Sequence, residues 1–211
     1  MPPDELAARL ALYLVADPEA TRRDLVADTI AALDGGVTAV QLRAKQLHDR
    51  ELWELATRLR QDCQGRSVLF IVNDRLDLAL AVGADGVHLG LHDLPLAAAR
   101  RIAGPRVLIG ASPQTIADAV EAREQGADYV GAGPVFVTGS KADAGEPIGL
   151  DGLHDRALAA AVPTVGIGGI TAENAAAVIA AGAVGVSVIS AILGADDPAA
   201  AAAVLASAVA I

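Results

Sequence analysis

Gln41, Arg43 and Lys45 recur at every second position, so on a β-strand they share one side. Two of the three are cations, in a chain whose 16 Lys and Arg are outnumbered by 26 Asp and Glu, for a net charge of −10. With Lys141 they read as an anion clamp. Asp74 and Asp93 are hard oxygen donors suited to Mg2+, an ion commonly shared between one or two carboxylates and substrate phosphates. Gly168-Gly169 suggests a second anion site. Backbone without side chains approaches a phosphate closely, and a helix expected from Thr171 would aim N–H groups at it. The set predicts two phosphorylated ligands plus Mg2+. No Ser-His-Asp, Cys-His or zinc-spaced cluster competes, since the histidines lie far from Cys63, which falls in a helical pattern.

These residues need a frame that gathers them, and one unit recurs along the chain. An Ala-rich amphipathic segment ends in Gly, and a short β-branched run follows. The junctions are Asp34-Gly35-Gly36-Val37, Val82-Gly83-Ala84-Asp85, Gln125-Gly126-Ala127-Asp128 and Ala181-Gly182-Ala183-Val184. Glycine suits the left-handed residue beyond a helix.

The pattern predicts strands over Ala11–Ala16, Ala39–Arg43, Val68–Asn73, Gly86–Leu89, Val107–Ala111, Tyr129–Ala132, Thr164–Ile167 and Gly185–Ile189. Helices are expected over Arg22–Leu33, Asp49–Asp62, Arg75–Ala81, Leu96–Ile102, Gln114–Glu124, Leu150–Ala160, Thr171–Ala181 and Pro198–Val209. Ser112-Pro113 and Asp197-Pro198 each read as a capping side chain before a proline that opens a helix. Alternating strand and helix units make this an α/β chain, a (β/α)8 TIM barrel forming a single domain over residues 1–211. An open doubly wound sheet is the runner-up and would show one dominant glycine-rich fingerprint. In a barrel the chemistry collects at the C-terminal ends of the strands, which is where the polar residues above fall.

Composition narrows the function further. Hydrophobic residues make up 53% of the chain, enough for a sizeable core. The acidic balance and 2% aromatic content argue against a nucleic-acid partner. A single cysteine and an acidic N-terminus without a signal-peptide pattern fit a cytoplasmic protein. The uncharged stretch 175–195 reads as helix, glycine stop and buried strand, and no membrane association is expected. A homo-oligomer is left open.

The residues also resemble the thiamine-phosphate synthase family. The matching stretches are VQLRAK at 40–45, IVND at 71–74, GVHLG at 86–90 with Asp93, IGAS at 109–112, VGAGPVFVTGSK at 130–141, VGIGGITAEN at 165–174 and GVSVIS at 185–190. They run in the family's order from the second strand to the eighth. The resemblance implies an enzyme that joins a hydroxymethylpyrimidine diphosphate to a thiazole phosphate, releasing diphosphate and making thiamine monophosphate. It implies that Arg43, Lys45, Asn73 and Lys141 bind the leaving diphosphate, and that Asp74 and Asp93 hold Mg2+. Gln41 and Ser112 would hold the pyrimidine, Thr138 and Ser140 would contact the thiazole, and Gly169 with the backbone of Ile189 and Ser190 would take its phosphate. Arg43, Lys45, Lys141 and Ser112 are the residues the resemblance places closest to the chemistry. The implied partners are thus small phosphorylated molecules.

The chain departs from the family pattern where Leu91 replaces a Gln, where Thr138-Gly139-Ser140-Lys141 replaces Thr-x-Thr-Lys, and where Gln114 replaces a His. A thiazole tautomerase or a non-catalytic thiazole-phosphate binding protein would share the barrel but lack much of the diphosphate clamp. More ordinary roles exist as well. Asn73, Asp74 and Ser112 are good helix caps, Asp93 suits a turn, and the Thr138–Glu146 loop has the content of a mobile cover. His88 reads as a packed strand residue, Trp53 as a packing residue on the second helix, and His48, His92 and His154 as surface positions.

Overall fold

A computed structural model describes residues 1–139 and 145–210. Its strands are β1 Leu12–Ala16, β2 Ala39–Leu42, β3 Leu69–Asn73, β4 Gly86–Leu89, β5 Leu108–Ala111, β6 Tyr129–Ala132, β7 Thr164–Ile167 and β8 Gly185–Val188. All pair in parallel, and β8 closes onto β1 with Leu12 opposite Val186. Closure rules out the open doubly wound sheet. The helices that follow the strands are α2 Leu25–Asp34, α3 Asp49–Gln64, α4 Leu76–Val82, α5 Leu96–Ala103, α6 Ile116–Glu124, α7 Gly149–Ala160, α8 Ala175–Ala180, α9 Ser190–Leu193 and α10 Pro198–Val209. They pack the outward residues of the sheet against an apolar shell that includes Leu14, Val40, Phe70, Val87 and Val186.

The glycine junctions behave as their positions demand, with Gly36, Gly83, Gly126 and Gly182 all at positive φ. No helix among the described residues is long and apolar enough to cross a membrane. The uncharged stretch divides into α8, a turn at Gly182 and the buried β8.

One helix went unread. Pro3–Arg9 forms α1, with Asp4 and Glu5 in its first turn and Arg9 in its last, as the helix dipole favours. Its Leu6, and Leu10 just beyond it, join Tyr13, Leu69, Leu108 and Tyr129 in the barrel's inner cluster. The interior is therefore apolar at the end α1 packs against. It turns polar toward the C-terminal ends of the strands, where Gln41, His88 and Ser187 are buried.

Three other expectations change. Thr115, not Ser112, caps α6: its side chain accepts from Asp118 N–H, and Asp118 answers in a capping box. Proline at 113 lies outside the helix, so Ser112 is left at the strand end. The helix expected from Thr171 is instead a turn, with Asn174 accepting from Thr171 N–H, and α8 starts only at Ala175. Trp53 is 47% exposed on the outer side of α3 and belongs to no core cluster. By contrast Asp197 caps α10 as its sequence predicts.

A repeated clamp holds the N-terminal ends of β3 and β5. Asp85 accepts from Phe70 N–H at 2.8 Å and faces Arg60 at 3.6 Å. Asp128 accepts from Ile109 N–H at 2.7 Å and pairs with Arg100, whose guanidinium also ties the Gly104, Val107 and Gly126 carbonyls. Replacing Asp128 with Ala strands a buried backbone donor, which costs about 1–3 kcal/mol. Urea unfolding of Asp128→Ala is expected to show that loss with an unchanged m-value.

Candidate active site

A cleft of about 890 Å3 opens at the C-terminal ends of the strands. Arg43, Lys45, Asn73, Asp74, Asp93, Ser112, Thr138, Gly169, Ile189 and Ser190 all line it, so ten of the sequence-predicted site residues meet in one place. Ser140 and Lys141, with most of the Thr138–Glu146 loop, lie outside the described residues. Gln41 does not line the cleft. It is buried in the barrel interior and donates to the Tyr13 hydroxyl at 2.7 Å, beside a small cavity of about 40 Å3 that Ser112 and His88 also border. Strand alternation placed Gln41 on the right side, but one pleat deeper than Arg43.

The cations are positioned by carboxylates. Arg43, just past β2, is ion-paired with Asp17, which sits just past β1 and is only 3% exposed. Asp17 also accepts from Glu19 N–H, so its carboxylate is held before it meets the guanidinium. An ion pair in a cleft wall fixes the planar guanidinium and keeps its remaining N–H groups available. Sequence reading missed Asp17, although it is a polar residue at a strand end like the others. Lys45 reaches to 3.9 Å from Asp74 and stays half-exposed, a placement that suits a mobile anion contact.

Asp74 has φ +64, one of few non-glycine residues here in the left-handed region, which Asp tolerates better than most. Its N–H donates to the His88 carbonyl of β4. That sharp turn places its carboxyl beside that of Asp93. Burial, and then the adjacent Asp93, push the Asp74 carboxyl up to about 6, against the pull of Lys45 and Arg43. Neither Asn73 nor Asp74 caps α4, whose N-cap is Arg75. Asp93 does hold its own loop, accepting from Gly90 N–H at 2.6 Å.

Two partly buried carboxyls side by side repel when both are charged, and a cation between them relieves that repulsion. Among the described residues no group of three or more His, Cys, Asp or Glu is placed to hold a metal. The donor set therefore fits Mg2+ completed by substrate phosphate and water rather than a protein-only cage.

Gly168 and Gly169 line the cleft, with φ +97 and +65. Packing gives a further reason for glycine at both positions. A Cβ on Gly168 would lie 2.6 Å from Pro134 Cβ, and one on Gly169 would lie 2.5 Å from the Val137 carbonyl. Val135 and Phe136 N–H groups donate to the Ile167 and Gly168 carbonyls, so the loops after β6 and β7 are stitched together. The glycines serve that contact first.

Leu91 stands 52% exposed on the cleft wall, an apolar surface where the family pattern has an amide. His88 is a packed strand residue, as expected, but it also reaches the cleft floor. Its Nε2 is 2.8 Å from Ser112 Oγ and its Nδ1 is 3.1 Å from Tyr129 Oη. His48, His92 and His154 are exposed.

Comparison with known proteins bears on the fold and the family. The family model for thiamine monophosphate synthase matches residues 12–192. A thiamine-phosphate synthase of Moorella thermoacetica is 57% identical over 171 residues, covering 81% of each chain. The bifunctional ThiM/ThiE protein of Symbiobacterium thermophilum is 55% identical over 93% of this chain, which spans only 40% of that protein. A solved thiamine phosphate pyrophosphorylase from Pyrococcus furiosus superposes with a TM-score of 0.89 at 42% identity, covering 97% of both chains.

A divalent cation entering between Asp74 and Asp93 competes with the proton on Asp74. Calorimetric titration with Mg2+ and diphosphate is expected to show near-constant cation affinity above pH 7. Below the Asp74 value of about 6, affinity is expected to fall by roughly tenfold per pH unit. Asp74→Asn is expected to abolish the effect together with most of the affinity.

Proposed function

The chain belongs to the thiamine monophosphate synthase family, and from that premise we propose how its cleft makes thiamine monophosphate. The protein is an enzyme, a thiamine-phosphate synthase, in which a pyrimidinylmethyl group passes from diphosphate to a thiazole nitrogen. The observation that carries the site assignment is the gathering of two anion-binding sets in one cleft. Arg43, Lys45, Asn73, Asp74 and Asp93 come from β2 to β4 on one arc of the barrel mouth, and Gly169, Ile189 and Ser190 from β7 and β8 on another.

In this reading the diphosphate sits against Arg43, Lys45, Asn73 and Lys141. The pyrimidine lies over Ser112 and toward Gln41, the thiazole meets Thr138 and Ser140, and its phosphate rests on Gly169 and the backbone of Ile189 and Ser190. Asp74 and Asp93 would hold Mg2+, which would supply positive charge to the departing diphosphate. The bond between the pyrimidine methylene carbon and the diphosphate oxygen breaks with both electrons going to oxygen. The thiazole nitrogen then gives its lone pair to the methylene cation, forming the new C–N bond.

Such a reaction asks little of a protein base or nucleophile. It asks for fixed positive charge where negative charge develops and for exclusion of water from the cation. The Asp17–Arg43 pair supports the first demand, because a guanidinium already oriented needs no reorganisation as the leaving group departs. The exposed Leu91 supports the second by lining the cleft wall with apolar surface. The tautomerase alternative is disfavoured by Gln114, which lines the cleft where a histidine would be needed, and by the assembled cation set.

We further propose that the barrel is the whole catalytic unit, that it works in the cytoplasm, and that its partners are small phosphorylated molecules.

The test is a coupling assay with hydroxymethylpyrimidine diphosphate and thiazole phosphate, with Mg2+ and again with excess chelator. Metal-dependent thiamine monophosphate is expected. Lys141→Ala is expected to lower turnover on the order of a hundredfold, the loss typical of one transition-state donor. A near wild-type rate in that variant would remove Lys141 from the clamp.

A further inference from the structure

The chain has two tyrosines, Tyr13 and Tyr129, and both are buried inside the barrel. Their hydroxyls are 2.9 Å apart, with rings tilted at 52°. Each hydroxyl has one further partner: Gln41 Nε2 donates to Tyr13 at 2.7 Å, and Tyr129 lies 3.1 Å from His88 Nδ1. His88 Nε2 in turn is 2.8 Å from Ser112 Oγ, at the cleft. Five side chains from β1, β2, β4, β6 and the end of β5 thus form one continuous line from the barrel interior to the cleft floor.

The line has a direction, set by counting protons. Tyr13 accepts a hydrogen bond from the Gln41 amide, so its own hydroxyl must donate to Tyr129 or remain a buried donor without an acceptor. Tyr129, already an acceptor, must donate to His88 Nδ1. That leaves the neutral ring with its hydrogen on Nε2, where it donates to Ser112 Oγ. Ser112 Oγ then accepts from behind, which leaves its own proton to turn toward the cleft. Burial raises both phenols above their ordinary value, so neither gives up the proton the line needs.

A second observation shows that space is kept for this arrangement. A Cβ on Gly110 would lie 2.2 Å from Tyr129 Cζ, 2.4 Å from its hydroxyl and 2.5 Å from His88 Nδ1. Gly110 sits mid-strand at φ that needs no glycine, so its missing side chain is explained by the Tyr129–His88 junction it admits.

We propose that Gln41, Tyr13, Tyr129 and His88 are positioning residues forming a one-way hydrogen-bond relay that orients Ser112 as a donor to the pyrimidine. The inference rests on the reading of the cleft given above. It assigns Gln41 an indirect role, through Ser112. A neutral serine donor holds a pyrimidine ring nitrogen without opposing the pyrimidinylmethyl cation.

The test has two readouts. Ring 15N–1H correlation spectra of the ligand-free protein, with His88 assigned by its loss in His88→Asn, are expected to show the proton on Nε2. Tyr129→Phe and Tyr13→Phe are each expected to release that preference. Each is expected to raise KM for the pyrimidine diphosphate roughly tenfold, the worth of one hydrogen bond, with kcat little changed. Because both cut the same line, the double variant is expected to be no worse than either single one. Independent packing defects would instead add.

A proton on Nδ1 in the wild-type protein, or an even mixture from a water in the 40 Å3 cavity acting as a partner, overturns the relay. So does a Tyr129→Phe ring spectrum identical to wild type. A wild-type protein with the Nε2 proton but no thiamine monophosphate formation fails the functional reading instead, and with it the purpose assigned to Ser112.

Discussion

An eight-stranded barrel has room inside for only a few layers of side chains, and anything polar placed there must find its partner there. That constraint organises this molecule. At the end closed by α1 the interior is Leu6, Leu10, Leu69 and Leu108, which ask for nothing but contact. One layer higher the two phenols bring hydroxyls into the dark, and each polar group introduced to satisfy them needs another in turn. The demand is met only where the strands open onto the cleft. Interior packing and cleft chemistry are therefore not separate problems, since the residues that satisfy the buried phenols are the floor of the site.

The cleft wall follows a related logic with charge. Arg43 meets Asp17, Lys45 approaches Asp74, and Asp74 meets Asp93, so the two cations of the arc from β1 to β4 are flanked by carboxylates on either side. The backbone contributes too. The left-handed turn at Asp74 spends local strain to bring its carboxyl across to the next loop.

Much of this was legible from the chain, for a physical reason. Each strand–helix unit repeats the same punctuation, and glycine at a helix end is a local requirement that needs no tertiary knowledge. Strand bounds accordingly agree to within one residue. Ends of strands carry the polar residues, so Arg43, Lys45, Asn73, Asp74, Asp93 and Ser112 could be picked out before any contact was known. What was not legible depends on neighbours distant in sequence. Tyr13 and Tyr129 are 116 residues apart and each looks like an ordinary strand aromatic. Ser112 beside Pro113 has the form of a helix cap, and only the competing box at Thr115 and Asp118 displaces it. Trp53 looked like core because tryptophan usually is, but α3 turns it outward. The helix α1 did carry a signal, with proline at its start, acids in its first turn and leucines at positions 6 and 10.

The paired glycines after β7 have a bearing on how such sequences are sorted. Their φ angles and the absence of a Cβ are demanded by Pro134, Phe136 and Val137 of the neighbouring loop. The demand would persist if the cleft took no phosphate at all. A barrel that had drifted to another ligand would keep Gly168-Gly169 for as long as it kept the loop beside it. The pair is thus a marker of how the loops after β6 and β7 pack. Diagnosis of the ligand belongs to side chains that no neighbouring loop requires, such as Lys45.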